Sequence, residues 1–117
     1  MKKYCYVFSL STMICASASA QQATVFVDSG SGNIAPPSGS NPGDSWTGTH
    51  PAFKFLQDGI ERANQIRSAF PNASVEIWVA AGIYRPDESS TSPTGSGNRD
   101  ASFQLRSNVA ILGGKRD

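Results

Sequence analysis

Val75-Glu-Ile-Trp-Val79, then Ala80-Ala-Gly82, Ile83-Tyr84 and Arg85-Pro86, is the stretch from which the fold is read. Apolar and polar residues alternate at first and then run continuously apolar, a β-strand pattern. A bend at Gly82 interrupts the run before Ile83-Tyr84 resumes it. Downstream the grammar repeats: Phe103-Gln-Leu105 alternates, Ser107-Asn108 turns, and Val109-Ala-Ile-Leu112 runs into Gly113-Gly114. Upstream, Ala23-Thr-Val-Phe-Val27 is β-branched and aromatic, another short strand. Four or five short strands separated by corners, without two-residue hairpin turns, predict a β-solenoid in preference to a hairpin meander.

Two polar loops and one helix lie between these strands. Residues 28–44 and 87–100 are dense in Gly, Pro, Asn and Ser and predict irregular loops. Trp46 closes the first and is expected to anchor it on an apolar surface. A helix is predicted over 51–69, with Pro51 in its first turn and Thr49 or His50 at the N-cap, Thr49 being the better chemical fit. Phe53, Leu56, Ile60, Ala63, Ile66 and Phe70 recur at three- and four-residue spacing and define its apolar stripe. Lys54, Gln57, Asp58, Glu61, Arg62 and Gln65 fill the other face, with Asp58 and Arg62 spaced to pair. Gly59 is a weak point in mid-helix, and Pro71-Asn72 ends it.

The whole chain has 117 residues, 10 Lys+Arg against 9 Asp+Glu, one His and two Cys, for a formal net charge of +1. That length sets a limit of one small domain. The near-neutral balance supplies no basic surface for nucleic acid. The first twenty residues have their own logic: Lys2 and Lys3, an apolar run from Tyr4 to Cys15, and the small-residue sequence Ala18-Ser19-Ala20. This is the pattern of an export signal cleaved after Ala20, and the run is shorter than the ~20 residues a membrane-spanning helix needs. Residues 21–117 then carry a formal charge of −1 and no cysteine, with no transmembrane segment. The expected location is secreted, periplasmic or at the outer surface. Disulfides and a zinc site are unavailable to hold such a chain together, so its stability rests on packing.

The order of these motifs resembles the N-terminal entry of pectin lyase-like right-handed parallel β-helix proteins, of the bacterial secreted or surface type. The residues that carry the resemblance are Leu56-Gln57-Asp58 in the helix, Glu76 through Pro86, Ser102-Phe-Gln-Leu105, and Val109 through Gly114. The resemblance spans about residues 25–114 and implies a mostly β fold, the start of a β-helix capped by the helix. It implies one to two coils only, and solenoids generally need about three repeats. The chain is therefore expected to be a fragment of a longer adhesin-like protein, with an uncapped C-terminal edge open to self-association; Lys115-Arg116-Asp117 offers no cap. A polysaccharide or cell-surface glycan is the implied partner. A polysaccharide lyase or glycoside hydrolase, and a glycan-binding module, are the alternatives. The family's catalytic residues lie on later coils, so no catalytic residue is transferred to this chain.

The residues themselves yield no catalytic, cofactor or metal site. Asp28, Asn33 and Asp44 offer oxygen ligands for calcium, but their spacing is not that of a calcium loop and Asx residues in such loops make turns. Asp87 and Glu88 are adjacent in a polar loop, whereas glycosidic acid–base chemistry needs two carboxyls about 5–10 Å apart on fixed scaffolding. His50 has no recognisable nucleophile to serve. Trp46 and Trp78 have faces suited to sugar rings, with Trp78 expected in core or cap packing. Arg85, Arg99 and Arg106 are candidates for uronate carboxylates. Asn72-Ala-Ser74 matches a glycosylation sequon, relevant to a eukaryotic source.

Overall fold

The computed structural model describes residues 22–114. The expected export signal over 1–20 and the Lys115-Arg116-Asp117 end lie outside the described residues. The elements are β1 (Gln22–Val27), α1 (Leu56–Ala69), β2 (Ser74–Val79) and β3 (Val109–Gly113). They form a small α/β domain with one parallel three-stranded sheet in the order β1-β2-β3 and one helix. Of the four or five strands expected, Ile83-Tyr84 and Phe103-Gln-Leu105 have no strand structure. The reason is packing: Tyr84 and Phe103 turn onto the core as single side chains. Ile83 is 79% exposed and Leu105 45% exposed, so neither short run has a buried face along which to pair.

Register places like residues in columns. Ala23, Val75 and Val109 align, as do Val25, Ile77 and Ile111, and then Val27, Val79 and Gly113. These columns face α1, and Val25, Val27, Val75 and Ile77 are almost completely buried with Phe53, Ile60 and Ala63. Burying each such side chain contributes about 1.5–3 kcal/mol. The helix lies very close to the sheet at Gly59, where an added Cβ would meet the Val27 Cγ2 at 2.5 Å. The glycine that looked like a helix weakness is a point of close helix–sheet approach.

The opposite face of the sheet carries Phe26, Trp78 and Leu112 in one register column. Phe26 packs edge-to-face on Trp78 with ring centroids 5.5 Å apart. Trp78 is thus half-buried on the outer face, and the expectation that it packs in the core or under the cap is corrected by strand alternation: Ile77 and Val79 take the inward positions.

The helix begins later than expected. Its N-cap is Phe55, extended at φ −107 and ψ 134 and without a side-chain cap, and Thr49 is not the cap. Residues before it are drawn out against β1 instead: Phe53 N–H donates to Phe26 O at 2.9 Å, and Asp28 N–H donates to Phe53 O at 2.8 Å. Phe70, at the expected end of the apolar stripe, caps the helix and is 49% exposed. No helix among the described residues is long and apolar enough to cross a membrane.

Candidate functional site

The first long loop is organised by hydrogen bonds from its own polar residues. Asp28 Oδ1 accepts from Gly30 N–H at 2.9 Å, an Asx turn. Ser31 Oγ donates to Ala52 O and accepts from Asn33 N–H. Asn33 Nδ2 donates to Asn41 Oδ1 and to Pro51 O, both at 2.9 Å. Asn41 Nδ2 in turn donates to Asn33 Oδ1, Ala35 O and Pro36 O. This reciprocal amide pair ties the two limbs of the loop together. Asn33 therefore has a structural role, as the turn reading holds, and Asp44 lies apart from it beside His50, with a 3.6 Å contact to Nδ1. Among the described residues no group of three or more His, Cys, Asp and Glu side chains is placed to hold a metal ion.

Trp46 anchors this loop as expected, packing edge-to-face on Phe26 with centroids 4.8 Å apart. Beside it lies an open cleft of about 410 Å³, lined by Asp28, Ser31, Asn33, Trp46, Thr47 and Pro51 together with three glycines. An indole, a carboxylate, an amide and two hydroxyls are thus collected around one depression. That donor set suits recognition of a polyhydroxylated ligand and contains no nucleophile–base pair.

The second loop, residues 80–108, is pinned to the helix. Gln57 Nε2 donates to Pro86 O at 2.6 Å and to Ser102 O at 2.9 Å. Arg106 Nη1 donates to Asn64 O and Ser68 Oγ, and Arg67 Nε donates to Ser107 O. Arg67 Nη1 also donates to Ala73 O at 2.9 Å and to Pro71 O. Arg106 is therefore committed to holding the chain ahead of β3. Tyr84 works at the loop's start, its hydroxyl donating to Ala80 O at 2.7 Å and accepting from Ser29 N–H at 3.1 Å.

Asp58 is the group that the sequence pattern misplaced. It is 1% exposed and points inward, where Oδ1 accepts both the N–H and the Oγ–H of Ser90 at 3.2 Å. Its expected partner Arg62 instead donates to Gln65 Oε1. Burial pushes the Asp58 pKa above its ordinary 3.8, the two Ser90 donors pull it back down, and nearby Glu61 adds to the rise. The advance signal in the sequence was Asp58 lying next to Gly59, the one helix position without a side chain.

The paired-carboxylate reading finds no catalytic geometry. Asp87 Oδ2 accepts Gly97 N–H at 3.1 Å and shapes the loop in which Gly95 and Gly97 have φ of 92 and 78. Glu88 lines a separate small cavity of about 90 Å³ with Arg85, Lys54, Tyr84 and Ser29. Arg99 is exposed. Asn72 is exposed in the turn after the helix. The chain matches no protein-family model, no curated protein and no solved structure.

The two edges of the sheet differ more than any pair of side chains. On β1, Phe26 N–H donates to Gly43 O at 2.8 Å, and the two Phe53 bonds continue this cover to Asp28. Gly43 has φ of 58, and a Cβ there would meet the Phe53 ring at 2.3 Å, so the covering strap needs glycine. No strand pairs with the outer edge of β3 among the described residues. Val75 N–H donates to Asn108 O, which fixes the parity of the parallel ladder. In that parity Ala110 and Leu112 bond to β2, and the backbone groups of Ile111 and Gly113 face outward.

Proposed function

We propose that the chain is the sealed start of an exported parallel β-helix of surface or secreted, adhesin-like type, with no reaction of its own. The single observation that carries this reading is the asymmetry of the edges. The strap at Gly43 and Phe53 covers the outer edge of β1 over Phe26–Asp28, while β3 presents aligned aliphatic columns and outward backbone groups on the other side. Parallel strands in sequential order, with apolar columns in register, are what a solenoid adds coil by coil. The helix covers the buried columns as an end cap does. The test is a tandem extension, a second copy of residues 74–114 appended to the full chain. The added strand is expected to slow amide exchange at Ile111 and Gly113 and raise the unfolding midpoint. An extension that stays unfolded, with both amides exchanging as before, would overturn the reading. Polygalacturonate is expected to yield no unsaturated product; turnover abolished by Arg85→Ala would replace this reading with the lyase one.

A second reading, glycan binding, is favoured by the open cleft at Trp46. The exposed part of the indole would take the C–H face of a pyranose, and Asp28 and Thr47 would take hydroxyls, while Asn33 holds the loop in shape. Glycan-array binding that Trp46→Ala abolishes is its expected signature, and unchanged binding by that variant would remove Trp46 from the site.

A further inference from the structure

We infer that the outer edge of β3 is a docking surface for a second copy of this chain, paired antiparallel about Ile111 in a closed two-fold dimer. The inference rests on the reading of β3 as an open edge, and names the occupant that edge accepts.

Three observations converge. First, the strand is self-complementary. About a two-fold axis through Ile111 and normal to the sheet, Val109 opposes Gly113 of the second copy and Ala110 opposes Leu112, while Ile111 meets itself. Large opposes small at every position off the axis, and each pair lies on one face of the sheet. Antiparallel pairing in this register makes Ile111 a hydrogen-bonded pair, and the outward parity of its N–H and C=O supplies those bonds. The joined sheet would have six strands, with the Val109 and Ile111 columns continuous from one core to the next.

Second, the strand carries no guard of its own. Val109-Ala-Ile-Leu-Gly113 contains no charge and no proline. The nearest preceding cation, Arg106, is turned back onto Asn64 and Ser68 of α1. Third, the opposite edge is blocked over Phe26–Asp28 by Gly43 and Phe53. A head-to-tail contact of β3 on β1 would have to displace that strap, so open-ended stacking is disfavoured. With β3 open along its length and β1 blocked over its C-terminal half, isologous pairing of β3 is favoured, and that assembly closes at two.

The contact is short, so the association is weak and concentration-dependent. The test is sedimentation equilibrium of the full chain as isolated, its N-terminus fixed by mass spectrometry, over about 1 μM to about 1 mM. The mass is expected to rise two-fold and stop there, with slowed amide exchange at Ile111 and Gly113 in the dimer. Ala110→Lys places a charge at an exposed position opposite Leu112 of the second copy, and is expected to leave the circular dichroism unchanged while raising the dissociation constant at least ten-fold. A chain monomeric throughout, a mass that climbs past two copies, or Ala110→Lys dimerising like wild type would each overturn the inference. A monomeric chain whose tandem extension still protects Ile111 would sink the dimer and leave the growth edge standing.

Discussion

The two edges of one three-stranded sheet receive opposite treatment from loops of similar composition. Residues 28–55 return along β1 and hydrogen-bond its outer side, with Phe53 buried as the anchor. Residues 80–108 bind the helix instead, through Gln57, Asp58, Asn64 and Ser68, and leave β3 uncovered. Gly, Ser, Asn and Pro content is therefore no guide to what a loop does. What separates the two is where each has a large apolar residue to drive home. The first has Phe53, which reaches the core while its backbone lies against β1; the second has Tyr84 and Phe103, which reach the core near its ends. Edge cover follows from the anchor, and the polar residues supply the hydrogen bonds that make the cover affordable in a dry site.

The strongest way to break the contrast is Phe53→Ala. The ring is fully buried, so its loss is expected to destabilise the domain by about 3–5 kcal/mol. The same change frees the strap, so the Phe26 and Asp28 amides should exchange faster than other β1 amides under conditions where the domain stays folded. Hydrogen exchange read residue by residue checks both. Stability lost with no selective exposure of those two amides would mean that Phe53 is a core residue and not an edge lock.

A smaller perturbation acts on the strap alone. Gly43→Ala puts a methyl into the Phe53 ring and a side chain at φ 58. Overpacking of this kind is expected to cost about 1–3 kcal/mol. For a domain of this size each 1 kcal/mol moves the midpoint by about 4–8 °C. Thermal denaturation is the measurement. A midpoint within about 2 °C of wild type, roughly half the effect of 1 kcal/mol, would show that the strap yields without loss.

These positions also show how far the sequence could be read. The strands at 22–27, 74–79 and 109–113 were legible because each is a run of β-branched or alternating residues longer than four. Their parallel order followed from corners in place of hairpin turns. Ile83-Tyr84 and Phe103-Gln-Leu105 misled because two or three apolar residues say that something is buried without saying that a strand buries it. The helix start was displaced because Thr49-His50-Pro51 is a sound local capping sequence, and the backbone of Phe53 was claimed by β1, where it bonds Phe26 and Asp28 and so pairs with Val27, 26 residues earlier in the chain. The cleft at Trp46 was half-legible: Trp46 and the Asx residues stood out, but their convergence depends on the Asn33–Asn41 pairing, which no spacing rule announces. Asp58 was read as a polar-face residue since it falls off the apolar stripe of the helix, and only the fold of the second loop gives it Ser90.

Asp58 gives the smallest predicted effect and bears on how firmly the open-edge strand is held, since its clasp on Ser90 lies within the β2–β3 connection. Burial raises the pKa of the carboxyl in the folded protein above the ordinary 3.8, so the fold binds the proton more tightly than the unfolded chain does. The stability this adds is fully present below the unfolded pKa and is lost as pH rises through the folded one. Oδ2 has no hydrogen-bond partner, which is where a proton or an amide group is accommodated. Asp58→Asn keeps an oxygen for both Ser90 donors and removes the charge at every pH. The variant is therefore expected to match wild type near pH 4 and to exceed it in stability by a margin that widens toward pH 7. Urea denaturation of both proteins at pH 4, 5.5 and 7 reads the margin directly. A margin that shrinks as pH rises would reverse the sign, and would mean that the ionised carboxylate gains more from Ser90 than it loses to burial. In that case the clasp would be an ionic anchor for the loop ahead of β3, and acid would loosen the open edge while leaving the strap at Gly43 and Phe53 in place.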